Sequence, residues 1–174
     1  MTCLIIAESA IFIIFVVAYV FYLGKSLSGP TPQQVLELPI LNTICLLSSS
    51  ATITFAVRAL RNGNKKSFCI WWLVTIALGS YFLFGAGREW QHLIYDKGLT
   101  IQTNLFGTTF YSLVGLHASH VVVGLLALLI VMGFSFAGAV KQEHADRAHV
   151  LSLYWHFVDV VWVAVFTVVY IIGR

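Results

Sequence analysis

Charge is what this sequence has least of. Only 10% of its 174 residues are Asp, Glu, Lys or Arg, 59% are hydrophobic, and mean hydropathy is +0.89. A soluble domain of this size carries roughly a quarter charged residues, so the composition points to a polytopic membrane protein and away from a soluble enzyme. The net charge of +3 is small and scattered, without the basic patch that nucleic-acid binding requires. Proline is scarce, at three, and no Ser/Gly-rich or charged run marks a linker. One membrane domain over residues 1–174 is expected. The three cysteines, Cys3, Cys45 and Cys69, are an odd number without CxxC or CxxCH spacing, which speaks against a structural disulfide and against covalent haem. The opening "MTCLIIAESAIF" lacks a Lys or Arg n-region, and Glu8 interrupts its apolar run. It is expected to stay as a first membrane span rather than be cleaved as a signal peptide.

What the chain does have is long apolar windows. A helix needs about 20 apolar residues to cross the hydrocarbon layer, and five windows qualify, at 3–23, 40–60, 68–87, 104–136 and 150–172. The fold expected is an all-α bundle of five transmembrane helices, since lipid forces each segment to satisfy its own backbone. The fourth window exceeds a straight crossing and should tilt or extend past the bilayer.

Basic residues set the orientation. The connection "RALRNGNKKS" holds Arg58, Arg61, Lys65 and Lys66 without an acid, and the next one on the same side holds Lys141 and Arg147. Both are placed in the cytoplasm, with Lys25, Arg88, Lys97 and Arg174 outside. The N-terminus is then inside and the C-terminus outside. Small and hydroxyl residues on span two (Ser48, Ser49, Ala51, Thr52) and span four (Ser112, Gly115, Ser119) read as packing seams.

Ionisable groups inside spans are costly, at about 2.5–3.5 kcal/mol for an Asp or Lys at a helix centre. Here they are Glu8, His117, His120, His156 and Asp159. Counted along their helices, all five fall toward the cytoplasmic half, where they can meet. His149, Ser152, His156 and Asp159 draw one polar stripe along span five, and His117 and His120 share a face of span four. Three readings compete on the residues alone. His117, His120, His156 and a carboxylate could ligate iron, copper or zinc. The cluster could relay protons. Or it could be a buried polar network that fixes helix register, with carboxylates accepting from imidazoles on neighbouring helices.

At these residues a family resemblance enters. "YWHFVDVVW" resembles the last-helix signature of subunit III of the haem–copper respiratory oxidases. "AESAIFIIFVVAYV" is similar to that family's helix with a buried glutamate, here Glu8. "LELPILNTICLLSSSATITFA", "TIALGSYFLFGAGREW" and "GLTIQTNLFGTTFYSLVGLHASHVVVG" resemble its following helices in order. The resemblance covers residues 3–172 and implies an accessory subunit without its own catalytic centre, haem or copper, those belonging to subunits I and II. It implies packing against subunit I, contact with subunit II and small subunits, bound phospholipid, support of proton uptake, and a place in a bacterial plasma membrane. Glu8, His117, His120, His156 and Asp159 match the family's polar positions, and His149 extends the same expected network. Two features depart from the family. Its longer form has seven helices and this chain five, lacking the first two. His149 stands where many cytochrome c oxidase members carry a glutamate, and "LSLYWHF" and "FTVVYIIG" lean toward quinol oxidases. A quinol-oxidase subunit III, a nitric-oxide-reductase-associated membrane protein and a stand-alone proton carrier are the alternatives.

Overall fold

The computed structural model describes residues 2–25 and 38–173; Arg174, read above as an outer charge, lies outside them. Its long elements are helices: α1 (Thr2–Tyr22), α2 (Ile40–Arg61), α3 (Lys65–Tyr95), α4 (Leu105–Phe136) and α5 (Ala145–Phe166). A short 3₁₀ turn, Gln142–His144, leads into α5, and a π-helical stretch, Thr167–Ile172, continues it. Each of the five is long and apolar enough to cross a membrane.

Helices α2 and α3 form a tight antiparallel hairpin. Gly63 supplies a positive φ of 72° in its turn, and the Asn64 side chain accepts from the Ser67 amide at 3.1 Å to start α3. Helix α5 packs on α2 and α4, and α4 packs on α3, which closes a four-helix ring; α1 leans on α4 and α5 from outside. Gln142 Nε2 donates to the Arg61 carbonyl at 2.6 Å, so the two basic connections sit at the same end of the bundle.

The spans differ from the sequence windows at α3 and α5. Helix α3 is 31 residues long, not confined to 68–87, and thus rivals the 32 residues of α4. At about 1.5 Å per residue each exceeds a hydrocarbon core of about 30 Å. The extension of α3 is amphipathic: Leu93 is buried while Arg88 and Gln91 are exposed, so a hydropathy window stops short of it. Helix α5 begins at Ala145 rather than 150 because Ala145 and Ala148 already pack inward.

The outer surface is itself apolar. Aliphatic side chains such as Ile6, Ile13, Ile14 and Val160 point outward, at 61–67% exposure, as contact with acyl chains permits. The interior combines aliphatic and aromatic side chains with a few hydroxyls. Trp155 is its keystone, fully buried. Its ring lies against Gly79 of α3 and Gly124 of α4, where an added Cβ would stand 2.8 Å from ring carbons, and its indole N–H donates to Ser49 Oγ of α2 at 2.8 Å. One side chain of α5 thereby touches the other three helices of the ring. The hydroxyl seam runs through Ser49 and Thr52, the latter 2.7 Å from Thr75 Oγ1 of α3. Ser48 and Ser119 are exposed instead.

Candidate functional site

The intramembrane polar residues divide into separate groups rather than one connected cluster, because α5 turns Asp159 and His156 toward α2 while Glu8 reaches α4. The first group is Glu8 with His120. The carboxylate of α1 places Oε2 3.0 Å from His120 Nε2. His120 Nδ1 lies 2.8 Å from the Leu116 carbonyl, which can only accept, so Nδ1 carries a hydrogen. The Nε2–Oε2 contact then needs one further proton, residing on either partner, as imidazolium–carboxylate or as imidazole–carboxylic acid. Phe12 covers the imidazole at 5.0 Å between ring centroids, and Tyr154 of α5 donates its hydroxyl to the His120 carbonyl at 3.2 Å. A groove of about 220 Å³, lined by Leu4, Glu8, Ser119, His120, Val123 and Tyr154, opens beside the pair. Chemically this is a one-proton site with a route to its surroundings.

The second group joins α2 to α5. Ser50 Oγ donates to Asp159 Oδ2 and lies 2.9 Å from His156 Nδ1, while Thr54 Oγ1 stands 3.3 Å from His156 Nε2. Asp159 is 3% exposed and takes its hydrogen bond from a serine, not from an imidazole of another helix.

His117 joins neither group. It is 1% exposed, and neither ring nitrogen has a hydrogen-bond partner among the described residues. Its ring is boxed by aromatics: Trp162 of α5 at 4.9 Å, Phe82 of α3 at 5.9 Å and Phe12 of α1 at 6.5 Å. Trp162 in turn donates to Thr43 Oγ1 of α2 at 3.2 Å, so contacts from all five helices converge around this imidazole. His149, at the start of the stripe, places Nδ1 3.4 Å from the hydroxyl of Ser152, which donates to the His149 carbonyl at 2.8 Å.

This geometry bears on the ligand reading. His117 and His120 are three residues apart, but one faces the aromatic box and the other faces Glu8. Among the described residues no three His, Cys, Asp or Glu side chains come together in a way that could hold a metal ion.

The sequence reading missed several polar partners. Ser50 and Thr54 complete the α2–α5 group, yet a hydroxyl in a membrane helix gives no sign of which helix it faces. Glu89 accepts from the Tyr170 hydroxyl of the π-helical stretch at 2.8 Å. It fell just beyond the apolar window ending at 87 and so was not counted as intramembrane. The glycine seats for Trp155 were likewise silent, because Gly79 and Gly124 lie on different helices.

Comparison with known proteins places the chain. The family model described as Cytochrome c oxidase subunit III matches residues 1–174. The chain is 36% identical over 168 residues to cytochrome c oxidase subunit 3 of Alkalihalophilus pseudofirmus, covering 95% of this chain and 82% of that protein. It is 40% identical over 172 residues to cytochrome c oxidase subunit 3 of Synechocystis sp., covering 97% and 72%. It is also 36% identical over 157 residues to cytochrome bo(3) ubiquinol oxidase subunit 3 of Pseudomonas aeruginosa, covering 89% and 75%.

Proposed function

This chain belongs to the cytochrome c oxidase subunit III family, and from that premise we propose that its intramembrane polar residues serve assembly and local proton handling rather than catalysis. It is an accessory subunit III of a haem–copper oxidase and a multi-pass bacterial membrane protein. In this reading the chain acts as one membrane unit docked on subunit I. Haem and copper reside in partner subunits, and phospholipid fills the grooves of the bundle. Glu8, His117, His120, His149, His156 and Asp159 hold the helices in register, and Glu8–His120 buffers a proton near the uptake side. The observation that carries this is the engagement of these side chains with one another, with serine and threonine hydroxyls, or with aromatic rings. None is left converging on a shared coordination point. A quinol oxidase is the second reading for the parent complex, supported by the relative from Pseudomonas aeruginosa.

Replacing Glu8 tests the division of labour. Glu8→Gln keeps the size and the hydrogen bond but removes the shared proton. Initial oxygen-reduction turnover of the purified complex should stay near wild type, while the half-time of inactivation during turnover should shorten. A general acid–base residue instead contributes about 10²–10⁴-fold. An immediate loss of that size, with the subunit still assembled, would rule the accessory role out.

Orientation is part of the same proposal. Arg58, Arg61, Lys65 and Lys66 beside Lys141 and Arg147 at one end of the bundle argue for that end lying in the cytoplasm. Asn64→Cys should therefore react with an impermeant thiol reagent only in inverted vesicles. Labelling confined to intact cells would reverse the topology.

A further inference from the structure

We propose that Asp159 carries a proton in the resting bundle and exchanges it with His156 through the hydroxyl of Ser50. This adds proton exchange to the register role given above to both residues, and it holds whichever complex contains the chain.

Counting hydrogens leads there. Asp159 Oδ2 meets Ser50 Oγ, and Ser50 Oγ lies 2.9 Å from His156 Nδ1. His156 Nε2 lies 3.3 Å from Thr54 Oγ1, whose hydroxyl donates to the Ser50 carbonyl at 2.9 Å. A carboxylate and a neutral imidazole leave three hydrogens for these four contacts, one each from Ser50, His156 and Thr54. Filling all four takes one more, carried as a proton on Asp159 or as a second one on His156.

The surroundings favour Asp159. It is 3% exposed, and its Oδ1 has no hydrogen-bond partner among the described residues. A proton on Oδ1 would find no acceptor, which places it on Oδ2, facing Ser50. A carboxylate would leave a charged oxygen bare in the interior, where a neutral carbonyl costs far less. No cation offsets such a charge, since Asp159 takes part in no ion pair among the described residues. Helix α2 turns Ser50 and Thr54 to the group, and its Cys45 and Arg58 lie more than a turn from Ser50 on either side. On α4, His117 sits in its aromatic box and His120 is taken by Glu8 of α1. On α5 itself the stripe adds only His149, about two turns before His156. Ser50 stands midway along α2, where charge is most costly.

The exchange needs no heavy atom to move. In the neutral arrangement Asp159 Oδ2–H donates to Ser50 Oγ, and the serine hydroxyl donates to His156 Nδ1. Nε2–H donates to Thr54, and Thr54 to the Ser50 carbonyl. When the Oδ2–H bond breaks, Ser50 Oγ takes that proton and releases its own to Nδ1. A carboxylate and an imidazolium result, joined by the same contacts with two of them reversed in direction. No proton is gained or lost. The path leads from buried Asp159 to half-buried His156.

The test is infrared spectroscopy of the detergent-purified complex, with bands scaled to the amount of this chain. The C=O stretch of a protonated carboxylic acid should be present in the wild type and lost in Asp159→Asn, which keeps the side chain's shape. Subtracting Asp159→Asn on each background removes the other carboxylic acids of the complex. The shift of the band on transfer to heavy water times the exchange of its proton. Ser50→Ala removes the bridge and His156→Phe the acceptor. Each should keep the band and slow its exchange by about a hundredfold, the lower end for loss of a positioned proton-transfer group. Ser50→Thr, which keeps the hydroxyl, should exchange like the wild type. Either of the first two decides the route should the other fail to assemble. No band lost in Asp159→Asn would mean an ionised Asp159 and overturn the proposal. An exchange rate unchanged in Ser50→Ala or in His156→Phe would overturn the relay. Absence of haem-bearing subunits from the wild-type preparation would defeat the subunit reading and leave these spectra readable.

Discussion

Gly124→Val is expected to release most of this subunit from the assembled complex, with retention per haem falling by about tenfold or more. The reason is local and steric. A Cβ at Gly124 would stand 2.8 Å from Trp155 Cζ3, 2.9 Å from Cε3 and 3.3 Å from Tyr154 Cε1, and a branched side chain adds two methyls behind it. Trp155 has no direction in which to withdraw. Its other edge meets Gly79, where a Cβ would lie 2.8 Å from Cζ2, and its N–H is held by Ser49. Overpacking a filled interior costs about 1–3 kcal/mol, and tenfold corresponds to about 1.4 kcal/mol. The diagnostic is compensation. Trp155→Phe on the Gly124→Val background should recover much of the retention by vacating the volume, although Trp155→Phe alone loses the bond to Ser49. Because Gly79 and Gly124 seat the same ring, Gly79→Val combined with Gly124→Val should depart from additivity. Gly124→Val retained like wild type would show that α4 and α5 do not close on this ring in the membrane.

The second large effect concerns His117, where chemistry rather than volume decides. Its ring sits within 4.9 Å of the Trp162 ring, tilted by 32°, and edge-on to Phe82, while both nitrogens lack hydrogen-bond partners among the described residues. His117→Phe keeps a flat ring in an aromatic box and removes two polar atoms whose burial is unfavourable. Assembly and turnover should match or exceed wild type. His117→Lys puts a charge in the same box, at a cost of about 2.5–3.5 kcal/mol on insertion scales. That should lower the assembled fraction by about two orders of magnitude. The pair is measured as subunit retention and thermal survival of the complex. Loss of turnover in an intact complex carrying His117→Phe would mean that the ring nitrogens handle protons or a ligand, contrary to a packing role.

The two substitutions also mark where sequence reasoning stops. His117 and His120 look alike in "GLHASHVVVG", three residues apart and on one face by helical spacing. Their environments differ because α1 brings Phe12 and Glu8 to that face at different heights: the carboxylate meets His120, and His117 is left among rings. The polar stripe of α5 was legible as a periodicity, and its burial at Ser152 and Asp159 follows. Its partners were not. Periodicity states which residues share a face of one helix, and says nothing about which helix that face meets. Ser50 was left out of the polar network for that reason, and Glu89 was passed over because a hydropathy window ends where a helix becomes amphipathic.

By itself the sequence determined that the chain is an all-helical membrane bundle of five long spans, and through several ordered blocks it determined the family. Both rest on properties additive along the chain: apolar length against bilayer thickness, and residue identity at successive positions. The tertiary structure alone decided that the polar residues form separate groups, that Trp155 is seated by glycines from two helices, and that His156 meets the hydroxyls of Ser50 and Thr54 on α2. Those outcomes depend on the relative rotation and height of helices far apart in sequence. In a membrane that rotation is set by close packing and hydrogen bonds between helices, since burial of apolar surface no longer distinguishes inside from outside.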